Sequence, residues 1–450
     1  MRSYLAGLML VLALPTLAGA QTTGSTLNFP RLFLTSEFSS TGFAVVNPMT
    51  STASVTFTLY NANGGIVATT SRVLQGGEQL AVLASELFPV ANSGGWVQAT
   101  SSNPGLYGFW LGGDFFTFMD GAAAAPEFPD HFLPVTDNTE VNLANSGTSE
   151  VHADVHLYSA SGTELAPSFV LKVAPKAIVQ RTVSSLFPTA NLSQASHVRM
   201  TCTQNFATVA VIRGWLVDTE TAVVNGMDAG FFLTGLRFPH VINGNLGSAD
   251  YVTQINVINM RSTSQTVTLR FYPVSGSPIT LERQVPGNGS IRDSLRSLFN
   301  LPGTEYSDGW LKVEAPSGVA GMVVYADRRQ GGMAAVPFQA PSQRNIIFGH
   351  IADLSPWWTG VSLLNDNTGD ADVDIAAFTP QGVRIGTTRI TVKAGTKIAK
   401  LLSELIPQTQ TRTSDGGFVT VRSTAPLYGL ELFFNRNLSV VSNVAGGTLP

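Results

Sequence analysis

Four stretches of this chain carry the same six landmarks in the same order, and any fold must first accommodate that repetition. An opening apolar strand reads Phe29-Pro30-Arg31-Leu32-Phe33, His131-Phe132-Leu133-Pro134, Phe238-Pro239-His240-Val241 and Phe348-Gly349-His350-Ile351. An alternating strand then ends in Asn47, Asn145, Asn259 and Asn365, which lie 98, 114 and 106 residues apart. A third strand ends in an aromatic ahead of a Gly turn: Tyr60 before Gly64, Tyr158 before Gly162, Tyr272 before Gly276 and Phe378 before Gly382. A short Ser-x-Leu-x-Pro element follows, beginning at Ser85, Ser185, Ser297 and Ser403; it reads as one helical turn stopped by Pro. The fifth landmark is Gly95-Trp96-Val97, Ser196-His197-Val198, Gly309-Trp310-Leu311 and Gly417-Phe418-Val419. A turn and a closing strand begin at Pro104, Phe206, Pro316 and Pro426.

Within each unit, strands alternate apolar and polar residues between clusters of Gly, Pro, Asn and Ser. In Ser54-Val55-Thr56-Phe57-Thr58-Leu59-Tyr60 every second residue is apolar, so one face is buried and the other is wet. About seven strands per unit at regular spacing predict an all-β chain of β-sandwiches. A unit of roughly 100 residues can bury its own core. The expected organisation is four sandwich domains in a row, at 21–126, 127–235, 236–343 and 344–450, after a signal peptide at 1–20. A membrane β-barrel would instead need hairpins with a lipid-facing apolar band, and the Pro-stopped turn inside each unit argues against it.

The signal peptide is read from Arg2, the apolar run from Tyr4 to Leu17, and the small-residue site Ala18-Gly19-Ala20. No later apolar run reaches the roughly 20 residues of a membrane span, so an exported chain, extracellular or periplasmic, is expected. One Cys cannot pair within the chain, which excludes a disulfide scaffold. Cys202 shares parity with Val198 and Met200, so it should face the core. With 26 basic against 30 acidic residues there is no electrostatic footprint for nucleic acid.

The order of landmarks, from the Phe-Pro opening to the Pro-Gly strand, resembles tandem immunoglobulin-like β-sandwich repeats of secreted bacterial proteins of uncharacterised function. The resemblance spans residues 28 to about 446. It implies a sandwich fold and a surface or extracellular role, and it carries over no catalytic residue.

Candidate chemistry is sparse. His152-Ala153-Asp154-Val155-His156 places two imidazoles and a carboxylate on one strand face, which are ligand types that suit zinc. The equivalent faces read Ser54, Thr56, Thr58; Thr266, Thr268, Arg270; and Asp372, Asp374, Ala376. A face that varies so freely is a solvent face, so no cofactor is expected, with His152, Asp154 and His156 left as the metal candidates. The run Asp370, Asp372, Asp374 lacks the following Gly of a calcium loop. No nucleophile elbow, phosphate loop or dinucleotide fingerprint occurs, and no catalytic residue is expected. Of the six histidines, His240 and His350 share an opening-strand position, with His131 near it, which reads as structural.

Aromatics are the remaining handle, since they bind sugars and proteins alike. Tyr107, Phe109, Trp110, Phe115, Phe116 and Phe118 crowd the end of the first unit, and Trp357-Trp358 opens a strand in the fourth. Trp357, Trp358 and Trp110 are the candidate ligand contacts. The expectation is a non-catalytic structural or adhesive protein whose partner is a cell-surface glycan or protein. The alternative is a carbohydrate-binding protein using exposed aromatics.

Overall fold

The computed structural model describes residues 24–32, 40–90, 94–114, 118–215, 221–228, 233–302, 305–339, 341–413 and 416–449. The expected signal segment lies outside them, as do Phe33, Phe115 and Phe116. The described chain is all-β. No helix among the described residues is long and apolar enough to cross a membrane.

The first block has eight strands: β1 (Ser25–Phe29), β2 (Ser40–Val46), β3 (Ala53–Tyr60), β4 (Ile66–Leu74), β5 (Gln79–Leu83), β6 (Trp96–Ser101), β7 (Tyr107–Gly113) and β8 (Met119–Ala123). They form two antiparallel sheets, β1-β6-β3-β4 and β5-β2-β7-β8. The same pairing restarts three times. The second block holds β9 (Glu127–Pro134), β10 (Glu140–Ala144), β11 (Val151–Ser159), β12 (Phe169–Val173), β13 (Ile178–Thr182), β14 (Ala195–Arg213), β15 (Thr221–Asn225) and the two-residue β16 (Met227–Asp228). The third holds β17 (Gly235–Leu246), β18 (Ala249–Asn259), β19 (Gln265–Pro273), β20 (Ile279–Val285), β21 (Ser290–Ser294), β22 (Ser307–Glu314), β23 (Val319–Asp327) and β24 (Met333–Pro337). The fourth holds β25 (Gln343–Phe348), β26 (Trp357–Asn365), β27 (Ala371–Phe378), β28 (Arg384–Val392), β29 (Thr396–Leu401), β30 (Phe418–Asn435), β31 (Val441–Ala445) and β32 (Gly447–Thr448). In blocks two and four, one long strand, β14 or β30, runs through both sheets.

Each landmark has a structural cause. Asn47, Asn145, Asn259 and Asn365 are fully buried. Their amides donate to carbonyls on two separate segments: Asn47 to Ser51, Leu74 and Gln75, Asn259 to Thr263, Val285 and Pro286. Each carbonyl oxygen accepts the backbone N–H two residues on. Asn is the side chain that can donate twice and accept at one point. The third and fifth landmarks are cross-strand partners: Tyr60 stacks on Trp96, Tyr158 on His197, Tyr272 on Trp310 and Phe378 on Phe418. Gly precedes three of these partners because a Cβ at Gly95, Gly309 or Gly417 would sit 2.0–2.3 Å from the carbonyl oxygen of Tyr60, Tyr272 or Phe378. Ser196 escapes this because the register slips between Tyr158 and Ser159. The fourth landmark forms single helical turns, α1 (Ala84–Leu87), α2 (Val183–Leu186), α3 (Leu295–Phe299) and α4 (Leu402–Leu405). In α3, where Pro is missing, left-handed Asn300 at φ 49° ends the turn.

The eighth strand was not expected. β8, β15, β24 and β31 are short and buried, so they show no alternation of polar and apolar residues. They also settle how the blocks sit together. β8 packs against β15 and β31, and β24 packs against β15 and β31. The four blocks therefore close on themselves, where a row was expected. Buried clusters cross the joints accordingly: Val209 and Val223 join the core of block one, Met322 and Ala335 that of block two, and Tyr107 and Phe109 that of block four.

Candidate binding clefts between the blocks

The position two residues after the opening Phe or Leu recurs as the joint residue. Pairing register places Arg31, Val135, His240 and His350 there, because Phe29, Leu133, Phe238 and Phe348 each face the residue that follows the fifth-landmark aromatic. Each of the four contacts the next block. Arg31 is buried and ion-pairs with Glu140 at 2.7 Å. The Val135 carbonyl accepts from Arg292. His240 meets Lys397 at 2.5 Å, and His350 stacks on Phe109 at 6.2 Å. His131 is not their counterpart. It pairs with Met200 where Leu236 pairs with Val313 and Ile346 with Val421, so it fills a core position. Burial pushes its imidazole down to about 4, and Phe206 O and Thr208 Oγ1 lie within 2.9 Å of its ring nitrogens.

Two clefts open at equivalent joints. The first, of about 340 Å³, lies between blocks four and one and is walled by Phe43, Phe109 and Met119 on one side and His350, Trp357 and Phe433 on the other. Phe433 meets His350 and Trp357 edge to face at 5.2 and 6.2 Å. Burial, with a second contribution from Arg412, pushes His350 down to about 4, so its ring is neutral at pH 7. Beside the cleft, Gln79 latches the two blocks. Its amide donates to Gly349 O and Gly417 O and accepts from Gly417 N, all at 2.7 Å. The Tyr107 hydroxyl donates to Ala445 O. Deeper, fully buried Glu431 has no hydrogen-bond partner for either oxygen among the described residues. Burial, then the charge of Asp353, holds its carboxyl well above the usual range.

The second cleft, of about 150 Å³, lies between blocks three and four. Tyr251, Tyr306 and Tyr325 wall it from block three, and Leu432 and Phe434 from block four. Tyr251 and Tyr306 are edge to face, with centroids 6.4 Å apart and planes 64° apart. Asp327 also lines the cleft and is 2% exposed. Its Oδ1 accepts from Asp250 N and Arg329 N at 2.9 and 3.0 Å, while its Oδ2 has no hydrogen-bond partner among the described residues. Below the rings, Lys397 ion-pairs with Asp308, and Asp308 lies 3.3 Å from His240. Burial, and then the charge of Lys397, lowers the His240 pKa. Burial alone would raise Asp308, but its bonds and charges from His240 and Lys397 outweigh that and hold it low.

At the ring's centre, Asp120 is fully buried on β8. Its carboxylate accepts from Val223 N of block two at 2.8 Å and from Ser442 Oγ and Asn443 N of block four at 3.2 Å, besides its neighbour Gly121 N. One carboxylate thus ties three blocks. Burial pushes it up to about 7 despite these donors.

The expected contacts land unevenly. Trp110 is fully buried in the core of block one, so its ring is no surface contact; β7 is covered on both faces, which alternation alone did not reveal. Trp357 and Trp358 are half-buried and begin β26. Trp357 walls the first cleft. Trp358 meets Phe434 edge to face at 5.9 Å and lies under the Arg436 guanidinium at 5.8 Å. Thr253 and Thr359 make the same pair of bonds to Ile242 and Ala352, so Trp357 stands where Tyr251 does and Trp358 where Val252 does. His156 lies 3.3 Å from Asp154 and 2.8 Å from Glu164, and His152 reaches Glu150 instead. Among the described residues no group of three or more His, Cys, Asp or Glu is arranged to hold a metal ion. Cys202 is half-buried at the margin of the second core, short of the full burial its parity suggested.

Sequence reading missed Tyr251, Tyr306, Asp327, Gln79 and Asp120. Only Asp120 carried a local signal: an acid inside the small apolar run Met119-Asp120-Gly121-Ala122-Ala123. No family model and no curated protein matches this chain. Among solved structures it is similar to one described as Thermotoga maritima 1070, at 14% identity over 24% of this chain and 92% of that chain, with a TM-score of 0.21. It is also similar to a GH78 family rhamnosidase of Bacillus sp. GL1, at 8% identity over 94% of this chain and 54% of that one, with a TM-score of 0.12. Likenesses this slight carry no argument about fold or activity.

Proposed function

We propose that the chain is an exported, non-catalytic structural or adhesive protein, built of four immunoglobulin-like sandwich domains and presenting binding surface outside the cell. One observation carries this reading. The residues that the four blocks share are occupied as framework: the buried asparagines, the stacked aromatic pairs and the glycines beneath them. What differs between blocks is what solvent meets. The outer faces of β3, β11, β19 and β27 carry Thr, His, Arg or Asp in turn, and the joint clefts differ in chemistry. A rigid common frame with variable surface is suited to presentation of contacts, as loops and faces on a scaffold generally are. The partner is a cell-surface glycan or protein. Half-buried Trp357 and Trp358 at the start of β26 favour glycan as the second reading, because aromatic rings with a polar edge serve sugars well.

The test is retention of the purified mature chain on a glycan array and on whole cells. Saturable binding that falls when Thr56, Thr268 or Asp374 on the outer faces is changed to Lys supports the reading. Turnover of a glycoside or peptide substrate by the same preparation would sink it.

A further inference from the structure

We propose that the cleft between blocks three and four binds an organic cation, an alkylammonium group seated against Tyr251 and Tyr306 with Asp327 as its counter-ion. The proposal does not depend on whether the chain adheres to cells.

The argument starts from Asp327. It ends β23, and its Oδ1 caps the following turn through Arg329 N and accepts from Asp250 N of the neighbouring β18. A buried carboxylate oxygen left without a partner is costly, and such atoms call for an explanation. The neighbouring charges do not supply one. Lys397 is held by Asp308 and His240. The Arg329 guanidinium is turned to Ser248 O and Asn245 Oδ1. Arg436 lies over Trp358. Among the described residues Asp327 Oδ2 is therefore left without a hydrogen-bond partner in the cleft that the residue lines.

The rest of the wall fits a cation better than a sugar. Two tyrosine rings 64° apart make a corner, and ring faces attract a cation within about 6 Å. A sugar asks for a flat ring platform and for donors as well as acceptors. The Tyr325 hydroxyl is already taken by His240 O. Leu432 and Leu438 complete an apolar lining that favours a weakly hydrated, alkylated ammonium. The equivalent cleft between blocks four and one provides an internal control. There Asn435 replaces Asp327 in register, and its amide donates to Ser439 Oγ, so this position of the cleft carries no charge.

Calorimetric titration of the full chain with tetramethylammonium, choline and a trimethyllysine peptide tests the site, with methyl glucoside as the neutral probe. Saturable cation binding is expected, weakened at least tenfold in Asp327→Asn and in Tyr306→Leu, and weakened by added salt. The Asn variant keeps the Oδ1 acceptor that caps the turn, and a thermal melt checks that both variants fold. Tighter binding of the peptide than of choline assigns the natural source to a protein side chain, and the reverse to a small free cation. Absence of cation binding, binding that survives Asp327→Asn in a folded protein, or a preference for the glucoside would each overturn the proposal.

Discussion

The two joint clefts are the same place in the repeat with different chemistry. His240 and His350, Tyr251 and Trp357, Tyr325 and Phe433, and Asp327 and Asn435 occupy matching positions. In one joint the histidine sits over an ion pair and the cleft is edged by tyrosines and an acid. In the other it lies between phenylalanines, and Trp357 and Met119 stand in the wall in place of tyrosines. The backbone frame is common to both, held by the Asn clasps and the stacked pairs, so side chains at the joints could diverge without disturbing the blocks. The difference teaches that what is shared in this molecule is architecture, and what could be read by a partner is at the joints and on the outer faces.

The comparison stands only if the frame is in fact the stabilising part. Trp310 stacks on Tyr272 at 3.9 Å and is 3% exposed. Trp310→Ala should therefore cost about 3–5 kcal/mol in a denaturant melt, the range for a large buried aromatic. A loss below about 1 kcal/mol would remove the common frame from the comparison. The histidines should then part company. His350 has its folded pKa lowered to about 4, so it contributes stability above its unfolded pKa of about 6.5 that is lost as pH falls toward 4. The loss at that joint is on the order of 3 kcal/mol, read as hydrogen-exchange protection of the Gly417 amide. His350→Phe should keep the ring stack and abolish the acid loss. His240→Phe should instead destabilise its joint, because Lys397 and Asp308 lose a partner. Asp120 runs the other way. Its pKa is raised to about 7, so its contribution is present below about 4 and lost as pH rises through 7.

Gln79→Ala removes three bonds across the joint of blocks four and one. A loss of about 1–2 kcal/mol in closure is expected, seen as faster exchange at Gly417 with no change at the tyrosine cleft. Equal loosening at both joints would mean that the ring opens as one unit. The smallest effect is expected at Trp358, where the equivalent position is Val252. Trp358→Ala should change the melt by less than about 1 kcal/mol, since the fold does not require an aromatic there. Unfolding of block four instead would make Trp358 core.

Much of the block was legible because its causes are local in period. Alternation over Ser54 to Tyr60 showed the half-buried strand, and Tyr60, Tyr158 and Tyr272 do lie at or next to strand ends ahead of Gly turns. The single helical turns were readable from Leu and Pro spacing. The inner strands were not, since a strand buried on both faces has no polar phase to reveal it. Trp110 was misjudged for the same reason. The match of Trp357 to Tyr251 was hidden because Thr41, Thr139, Thr253 and Thr359 look like loop threonines until their burial is seen.

The sequence by itself determined the sandwich pattern and its fourfold recurrence, because hydrophobic period and turn chemistry act between residues close along the chain. Only the tertiary structure decided that the last block returns to the first. It alone made Asp120 a tie between three blocks and left Asp327 Oδ2, among the described residues, without a hydrogen-bond partner in the tyrosine-walled cleft. Those facts depend on groups far apart along the chain, such as Asp120 and Asn443. Their meeting is fixed by the summed geometry of four packed joints, which no local pattern encodes.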